Sequence, residues 1–140
     1  MDWKLEVVIA PVSDVERARE FYVDKLGFTL DTDHRGGETF RVIQVTPPGS
    51  ACSIVFGTGL GGGVAPGSLK GCQLAVTDIE EAHRQLEAAG IENTGPQHFA
   101  EGGVMTPGVE PSRADYGTFI YFDDPDGNTW AAQEIKQHAR

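Results

Sequence analysis

The stretch VSDVERA at residues 12–18 decides the fold, because nearly the same phrase, VTDIEEA, returns at residues 76–82. In each copy a hydroxyl residue precedes a glutamate by three positions, and the pairs are Ser13 with Glu16 and Thr77 with Glu80. This spacing is typical of a capping box, in which the hydroxyl side chain caps the first turn of a helix. We therefore predict that a helix begins at each copy, with Ser13 or Thr77 as its N-cap.

Behind each predicted start, apolar residues recur at helical spacing. They are Val15, Ala18 and Tyr22 in the first copy and Ile79, Ala82 and Leu86 in the second. Each stretch ends at a glycine, Gly27 or Gly90, which is expected to adopt the left-handed conformation that closes a helix. Each helix is thus expected to pack one apolar stripe against a sheet.

Strand-like segments surround both predicted helices. They are LEVVIAPV, FTLDTD, FRVIQV and CSIVFG in the first half, and CQLAV, GTFIYF and NTWAAQEI in the second. The order predicts tandem β-α-β-β-β modules in one α+β domain, with a cup-shaped sheet and the helices outside. The predicted domain spans residues 1–140, with module one at about 1–60, a glycine-rich linker at about 57–69 and module two at about 70–136. Residues 57–62 match G-x-G-x-x-G, but no helix is predicted after them, so they are interpreted as part of the linker.

The composition limits the classes of partner. The formal net charge is −10 and the pI is about 4.7, and an acidic surface repels nucleic acid and anionic membranes. The sequence shows neither an apolar run long enough to span a bilayer nor a signal-peptide pattern. We expect a cytoplasmic protein with a small-molecule partner, and its two cysteines are expected to be reduced thiols.

The duplicated module, the segment SDVERAREFYVDKLGF and the turn FDDPDGN together resemble the vicinal oxygen chelate superfamily. That superfamily includes glyoxalase I, extradiol dioxygenases, fosfomycin-resistance enzymes and bleomycin-binding proteins. The resemblance covers essentially the whole chain and implies the fold, as well as a homodimer. It does not by itself choose a function, because the same scaffold hosts isomerases, lyases, oxygenases and non-catalytic binders.

Metal enzymes of that superfamily hold one divalent ion in the cup with His and Glu side chains. Carried over onto this sequence, the four ligand positions fall on Val7, Val55, Gly71 and Ala131. None of these side chains can bind a cation. The resemblance therefore implies a member without the usual metal ligands, and we expect neither a metal nor another cofactor. Of the four histidines, His98 is the one expected to reach the cup, either to contact a ligand or to help rebuild a metal site.

The second module carries an insertion. Thirteen positions separate Gly27 from Phe40, whereas twenty-eight separate Gly90 from Thr118, the matching place in the second module. The extra residues lie within 98–117, and long loops in compact domains are either functional or mobile. The segment mixes apolar with polar side chains, which favours a lid over the cup mouth that covers an organic ligand and offers it polar contacts. These residues are Phe99, Val104, Met105, Glu101, Arg113 and Tyr116. A disordered surface excursion is the alternative.

Strand alternation predicts which side chains face the cup. If the vacant ligand positions face inward, Ile9, Gln73, Thr129 and Gln133 do so too, whereas Trp130 packs against the helices. Arg41 and Gln44 lie on opposite faces of their strand, so at most one of them enters. The predicted ligand contacts are Val7, Ile9, Arg41, Val55, Gln73, His98, Met105, Arg113, Tyr116, Ala131 and Gln133.

Three functions remain open from the sequence. One is a metal-independent binding protein of the bleomycin-resistance type, which holds a hydrophobic organic molecule in the cup. Another is a metal-free isomerase, lyase or cofactor-free oxygenase that uses His98, Glu101, Tyr116 or Arg113. The third is a metal-dependent glyoxalase or dioxygenase.

Overall fold

A computed structural model describes residues 1–60 and 63–137. Two linker glycines, Gly61 and Gly62, and His138 in the tail lie outside the described residues. The chain divides into two compact units, the first formed by Met1–Leu69 with Asp124–Asn128 and the second by Lys70–Asp123 with Thr129–Arg140. The turn that contains Pro125 therefore belongs to the first unit.

The first unit contains one helical segment and a four-stranded mixed sheet. Its strands are β1 (Val7–Ile9), β2 (Thr29–Arg35), β3 (Arg41–Thr46) and β4 (Ser53–Thr58), in the order β1-β4-β3-β2. Helix α1 (Val15–Arg19) continues directly into a π-helical segment, Glu20–Lys25. Strand β1 runs parallel to β4, whereas the other neighbouring pairs are antiparallel.

The second unit repeats this plan with one addition. Its elements are β5 (Cys72–Val76), α2 (Ile79–Ala88), β6 (Gln97–Phe99), β7 (Met105–Pro107), β8 (Thr118–Asp123) and β9 (Thr129–Glu134). The sheet order is β5-β9-β8-β6-β7, so β7 is a fifth strand at the sheet edge. The α+β class and the tandem modules are confirmed, and both sheets are open and curved.

Part of the insertion forms regular secondary structure, and the lid over the cup mouth stays a prediction. Residues 97–107 form the β6–β7 hairpin, in which His98 pairs with Thr106 and Phe99 with Met105. A 3₁₀ turn, Glu101–Gly103, connects the two strands. Gly102 and Gly103 both have positive φ, 81° and 77°, a conformation that glycine adopts without a steric penalty.

The predicted N-caps are wrong by one residue. Asp14 caps α1 by accepting the Arg17 N–H, and Asp78 caps α2 by accepting the N–H groups of Glu80 and Glu81. A carboxylate next to the hydroxyl residue competes for the same role. In the first unit the Ser13 hydroxyl is used elsewhere, since it donates to Asp126 Oδ1 at 2.5 Å. The predicted helix ends are correct, because Gly27 and Gly90 have φ values of 74° and 71°.

The turn at residues 124–128 is tied into the first unit by buried hydrogen bonds. The Asp124 carboxylate is buried and accepts from the Tyr22 hydroxyl at 2.7 Å and from Asn128 Nδ2 at 2.7 Å. The Asn128 amide also donates to the Pro11 carbonyl at 2.9 Å. Tyr22 packs in turn on Phe56, with ring centroids 5.4 Å apart. The FDDPDGN phrase thus stabilises the first unit.

Along the described parts of the chain, none of the helices is long and apolar enough to cross a membrane.

Candidate binding site

The two faces of the second sheet differ in character. Helix α2 packs on one face, where Ile120, Trp130, Ala132 and Glu134 are buried and the Glu134 carboxylate accepts the Ile79 N–H at 3.0 Å. Strand register places a different set on the opposite face, which we call the aromatic face: Gln73, Ala75, Gln97, Phe99, Met105, Pro107, Phe119, Tyr121, Asp123, Thr129, Ala131 and Gln133.

A row of three rings crosses the aromatic face. The Phe99 and Phe119 centroids lie 5.9 Å apart in a T-shaped arrangement. Phe119 and Tyr121 are stacked at 5.9 Å with an interplanar angle of 11°. Phe119 and Tyr121 are half-buried, and 54% of Phe99 is exposed. The rings therefore offer solvent-accessible π surface next to one another on adjacent strands.

The side chains around this row are amides and small groups. Gln73 pairs in register with Ala131, Gln97 with Phe119, and Phe119 with Gln133. Asp123, at the end of β8, is the one charged residue that the strand register places on this face. The aromatic face thus combines apolar surface with a few groups that can donate or accept hydrogen bonds.

The first unit has a comparable but less aromatic face. Register places Val7, Ile9, Gln44, Thr46 and Val55 on the side of its sheet away from α1. Half of Ile9 is exposed, at 51%. Asp31 accepts hydrogen bonds here from the side chains of Gln44 and Thr46.

Arg41 lies on the α1 side of that sheet. Gln44 is therefore the member of the pair that faces away from α1. The Arg41 guanidinium donates to both carboxylate oxygens of Asp33, at 2.9 and 2.8 Å, and to Glu16 in the first turn of α1. The Arg41 guanidinium holds the pKa of the Asp33 carboxyl below its ordinary value, and the two carboxylates raise the pKa of Arg41. We therefore leave Arg41 out of the proposed site.

His98 is also placed differently from the expectation. It pairs with Thr118, which is buried on the α2 side of the sheet. Its Nδ1 lies 2.7 Å from the Gly108 carbonyl oxygen. Register therefore assigns His98 to the face opposite the aromatic row. Of the other loop candidates, Met105 lies on the aromatic face beside Phe99, and Glu101 is exposed in the 3₁₀ turn.

Arg113 is held by two carboxylates. Its Nε and Nη2 donate to Glu134 at 3.0 and 2.6 Å, and its Nη1 donates to Glu80 at 2.8 Å. Glu134 is fully buried, with 0% exposure. Hydrogen bonding by Arg113 lowers the pKa of the Glu134 carboxyl, against the opposing effect of burial.

Tyr116 precedes β8 in the chain and lies beside Glu134, the last residue of β9. Its N–H donates to the Glu134 carbonyl at 2.8 Å, and its own carbonyl accepts from Gln133 Nε2 at 3.0 Å. Its side chain is half-exposed. Tyr116 thus borders the aromatic face through Gln133.

The metal implied by the resemblance does not fit the residues present. Val7 and Val55 lie on one face of the first sheet and Ala131 on the aromatic face of the second, so hydrocarbon side chains occupy these ligand positions. Glu134, three positions after Ala131 in β9, lies on the other face and is bound to Arg113 and to the Ile79 N–H. Within residues 1–60 and 63–137, no group of three or more His, Cys, Asp or Glu side chains is arranged to hold a metal ion.

The sequence comparison agrees with the fold. Residues 4–132 match the model of the Glyoxalase/Bleomycin resistance protein/Dioxygenase superfamily. The chain belongs to this superfamily. The resemblance given by its duplicated modules and its FDDPDGN turn is thereby confirmed. The superfamily includes proteins of several chemistries, so membership defines the scaffold and leaves the activity open.

Three similar proteins cover nearly the whole chain. TnmS3, an antibiotic binding protein from Streptomyces sp. CB03234, is 30% identical over 96% of this chain and 97% of its own, with a TM-score of 0.74. A superfamily member from Sphaerobacter thermophilus DSM 20745 is 29% identical over 95% and 98% of the two chains, with a TM-score of 0.72. The uncharacterised protein YetH of Bacillus subtilis (strain 168) is 24% identical over 138 residues, 94% of this chain and 98% of YetH.

Proposed function

We propose that this protein binds a small hydrophobic organic molecule on its aromatic face and releases it chemically unchanged, as a metal-independent binding protein of the bleomycin-resistance type. The observation that carries the proposal is the exposed row of Phe99, Phe119 and Tyr121. A flat unsaturated part of a ligand can extend this row by stacking.

The chemistry around the row supports an uncharged ligand. Gln73, Gln97 and Gln133 supply amides, which satisfy polar groups of a ligand without requiring a counter-charge. The formal net charge of −10 disfavours an anionic ligand. The same charge disfavours nucleic acid and anionic membranes as partners.

Binding without reaction is favoured by where the catalytic candidates lie. Apart from the hydroxyls of Tyr121 and Thr129 and the carboxylate of Asp123, the aromatic face consists of amides, phenyl rings and aliphatic groups, which supply neither a nucleophile nor a base. His98 is assigned to the α2 side and is engaged by Gly108, and Glu101 lies in the hairpin turn. TnmS3, similar over nearly the whole chain, is an antibiotic binding protein. A metal-free isomerase, lyase or oxygenase is the alternative that the test below separates.

The test begins with a thermal-shift screen of hydrophobic natural products, together with Nile red, an uncharged planar dye. We expect stabilisation that increases with ligand concentration. The double variant Phe119→Leu, Tyr121→Leu is expected to weaken binding by about tenfold or more, because stacking contributes on the order of 1 kcal/mol per ring beyond buried area. Phe40→Leu, at a partly exposed aromatic residue in the first unit, is the matched control.

Two results would count against the proposal. Unchanged affinity in the double variant would move the site away from the aromatic face. If mass spectrometry after incubation shows that the bound compound has changed in mass, the protein is an enzyme and the binding-protein proposal is wrong.

A further inference from the structure

The segment at residues 110–117, which we call the strap, has an unusual backbone. In the described chain, the two non-glycine residues with positive φ are both within it, Arg113 at 55° and Tyr116 at 70°. Residues with a β-carbon adopt this conformation at a steric cost, and they keep it where surrounding contacts enforce it. The strap is therefore held in place by its contacts.

Those contacts attach the strap to β9 and to the start of α2. Arg113 binds the Glu134 carboxylate through two N–H groups and binds Glu80 through a third. The Asp115 carboxylate accepts backbone N–H groups of Lys136 and Gln137 at 2.8 and 3.3 Å. Lys136 Nζ donates to the Arg113 carbonyl. Glu134 is fully buried, so Arg113 compensates a charge that water cannot reach.

The strap also reaches the aromatic face. Side chains alternate along β9, so Glu134 points toward α2 and Gln133 toward the aromatic face. The Tyr116 carbonyl accepts from Gln133 Nε2 at 3.0 Å, which fixes the amide of Gln133 beside Phe119. The strap therefore contacts side chains from both faces of one strand.

We propose that Arg113 is a positioning residue of the binding site, a role that rests on the proposed function. By holding the strap through Glu134, Arg113 sets the Tyr116 backbone and, through it, the Gln133 amide. Gln133 is largely buried, with 9% exposed on the aromatic face, and a ligand meets the amide through that exposed part. Arg113 itself does not contact the ligand. A preorganised polar group binds more tightly than one that must be ordered when the ligand arrives.

The first unit provides a matched control. Arg41 makes the same type of interaction, with two N–H groups on one carboxylate, Asp33, and a third on the glutamate in the first helical turn, Glu16. It lies on the α1 side of its sheet, and its partners Asp33 and Glu16 belong to a strand and a helix of the first unit. Arg41→Gln should therefore lower stability without changing the Gln133 amide.

The experiment compares the full chain with its Arg113→Gln, Arg113→Lys and Arg41→Gln variants at a temperature at which all are folded. Nile red fluorescence measures affinity, and NMR measures hydrogen exchange of the Gln133 side-chain amide. We expect Arg113→Gln to weaken Nile red binding by about tenfold, which corresponds to one lost hydrogen bond, and to accelerate exchange at Gln133. Arg113→Lys keeps the charge but loses the bidentate geometry, so an intermediate effect is expected. If Arg113→Gln does not fold, the Arg113→Lys variant still tests the positioning role.

The two measurements separate this inference from the proposed function. If the wild-type chain does not bind Nile red or any screened compound, the proposed function fails, while exchange at Gln133 still decides the role of Arg113. Unchanged Gln133 exchange in the Arg113 variants would overturn the positioning role. Equal loss of affinity in Arg41→Gln would also overturn it, because general destabilisation would then explain the effect.

Discussion

Arg113 and Glu134, 21 positions apart in the chain, form a bidentate ion pair whose carboxylate is fully buried. The same carboxylate accepts the Ile79 N–H at the start of α2. One buried group thus joins β9, α2 and the strap. Replacing it with an apolar residue leaves the guanidinium without its main partner and breaks both links, from β9 to α2 and from β9 to the strap.

The first prediction concerns this carboxylate. Glu134→Leu is expected to lower the free energy of unfolding by about 2 kcal/mol, because the Ile79 N–H at the start of α2 loses its acceptor and Arg113 keeps only Glu80. Urea denaturation measures the change. Glu81→Gln, at the exposed i,i+3 pair with Arg84, is the control and should have little effect. Equal stability of Glu134→Leu and the wild type would show that the pair does not hold the second unit together.

The second prediction concerns acid stability. The pKa values of Glu134 and Asp33 are both lowered, chiefly by hydrogen bonds from Arg113 and Arg41. A carboxyl with a lower pKa in the folded chain contributes stability above its unfolded pKa, near 4, and this stability is lost as the pH falls through the folded pKa. Urea midpoints are therefore expected to decrease as the pH falls from about 5 to 2. Arg113→Gln should make this decrease smaller, because the Glu134 carboxyl then loses the hydrogen bonds that lower its pKa. An identical profile would contradict the assignment.

The third prediction tests the observed N-cap of α2. Asp78 accepts two backbone N–H groups at 3.0 and 3.2 Å. Asp78→Ala should therefore cost about 1 kcal/mol of stability, and Thr77→Ala clearly less. Thermal unfolding of the two variants provides the comparison. A larger loss of stability in Thr77→Ala than in Asp78→Ala would show that Thr77 is the N-cap.

The fourth prediction concerns metal. Val7, Val55, Gly71 and Ala131 provide no donor atoms from their side chains, so protein purified without a His tag should contain less than about 0.1 equivalent of Zn, Ni, Mn, Fe or Co. Adding these ions should not produce glyoxalase activity. Elemental analysis and an activity assay with and without chelator are the measurements. Stoichiometric metal with a chelator-sensitive activity would refute the prediction.

The fifth prediction is a homodimer. Near the N-terminus, Trp3 and Leu5 are 88% and 70% exposed, and exposed large apolar side chains close together favour association. Light scattering should give twice the 15.0 kDa mass of one chain at micromolar concentration. Trp3→Ser should shift the equilibrium toward monomer, whereas Val64→Ser, at another exposed apolar residue, should not. A monomeric wild-type chain would exclude the dimer.

The repeated phrase was enough to predict the helices and the module order, because capping residues, apolar spacing and terminal glycines are local signals. The N-cap was misplaced because Ser13 and Asp14 are both good caps, and what separates them is the distant Asp126 that takes the Ser13 hydroxyl. Local sequence cannot show such a partner.

Strand alternation in the sequence was enough to predict some residues of the candidate site but not others. Gln73, Ala131 and Gln133 were predicted to share a face, and strand register places them together. Phe119 and Tyr121 were missed, although they alternate with the buried Ile120 and Phe122 in TFIYF. Pairing that strand with β9 would have placed both rings beside the glutamines. His98 lies in a three-residue strand, whose register is set by β7 and β8 and not by its own sequence.

Arg41 and Arg113 make the same type of ion-pair network in the two modules, but they lie in different parts of the repeat. Glu16 and Glu80 are equivalent positions of the repeat, and each forms an ion pair with an arginine. Arg41 is the first residue of β3, a strand that has a counterpart in both modules. Arg113 lies within the extra segment of the second module. The segment and the glutamates that bind it therefore form one transferable unit. Grafting the loop onto a relative that lacks Glu80 and Glu134 would carry over the sequence but not its conformation.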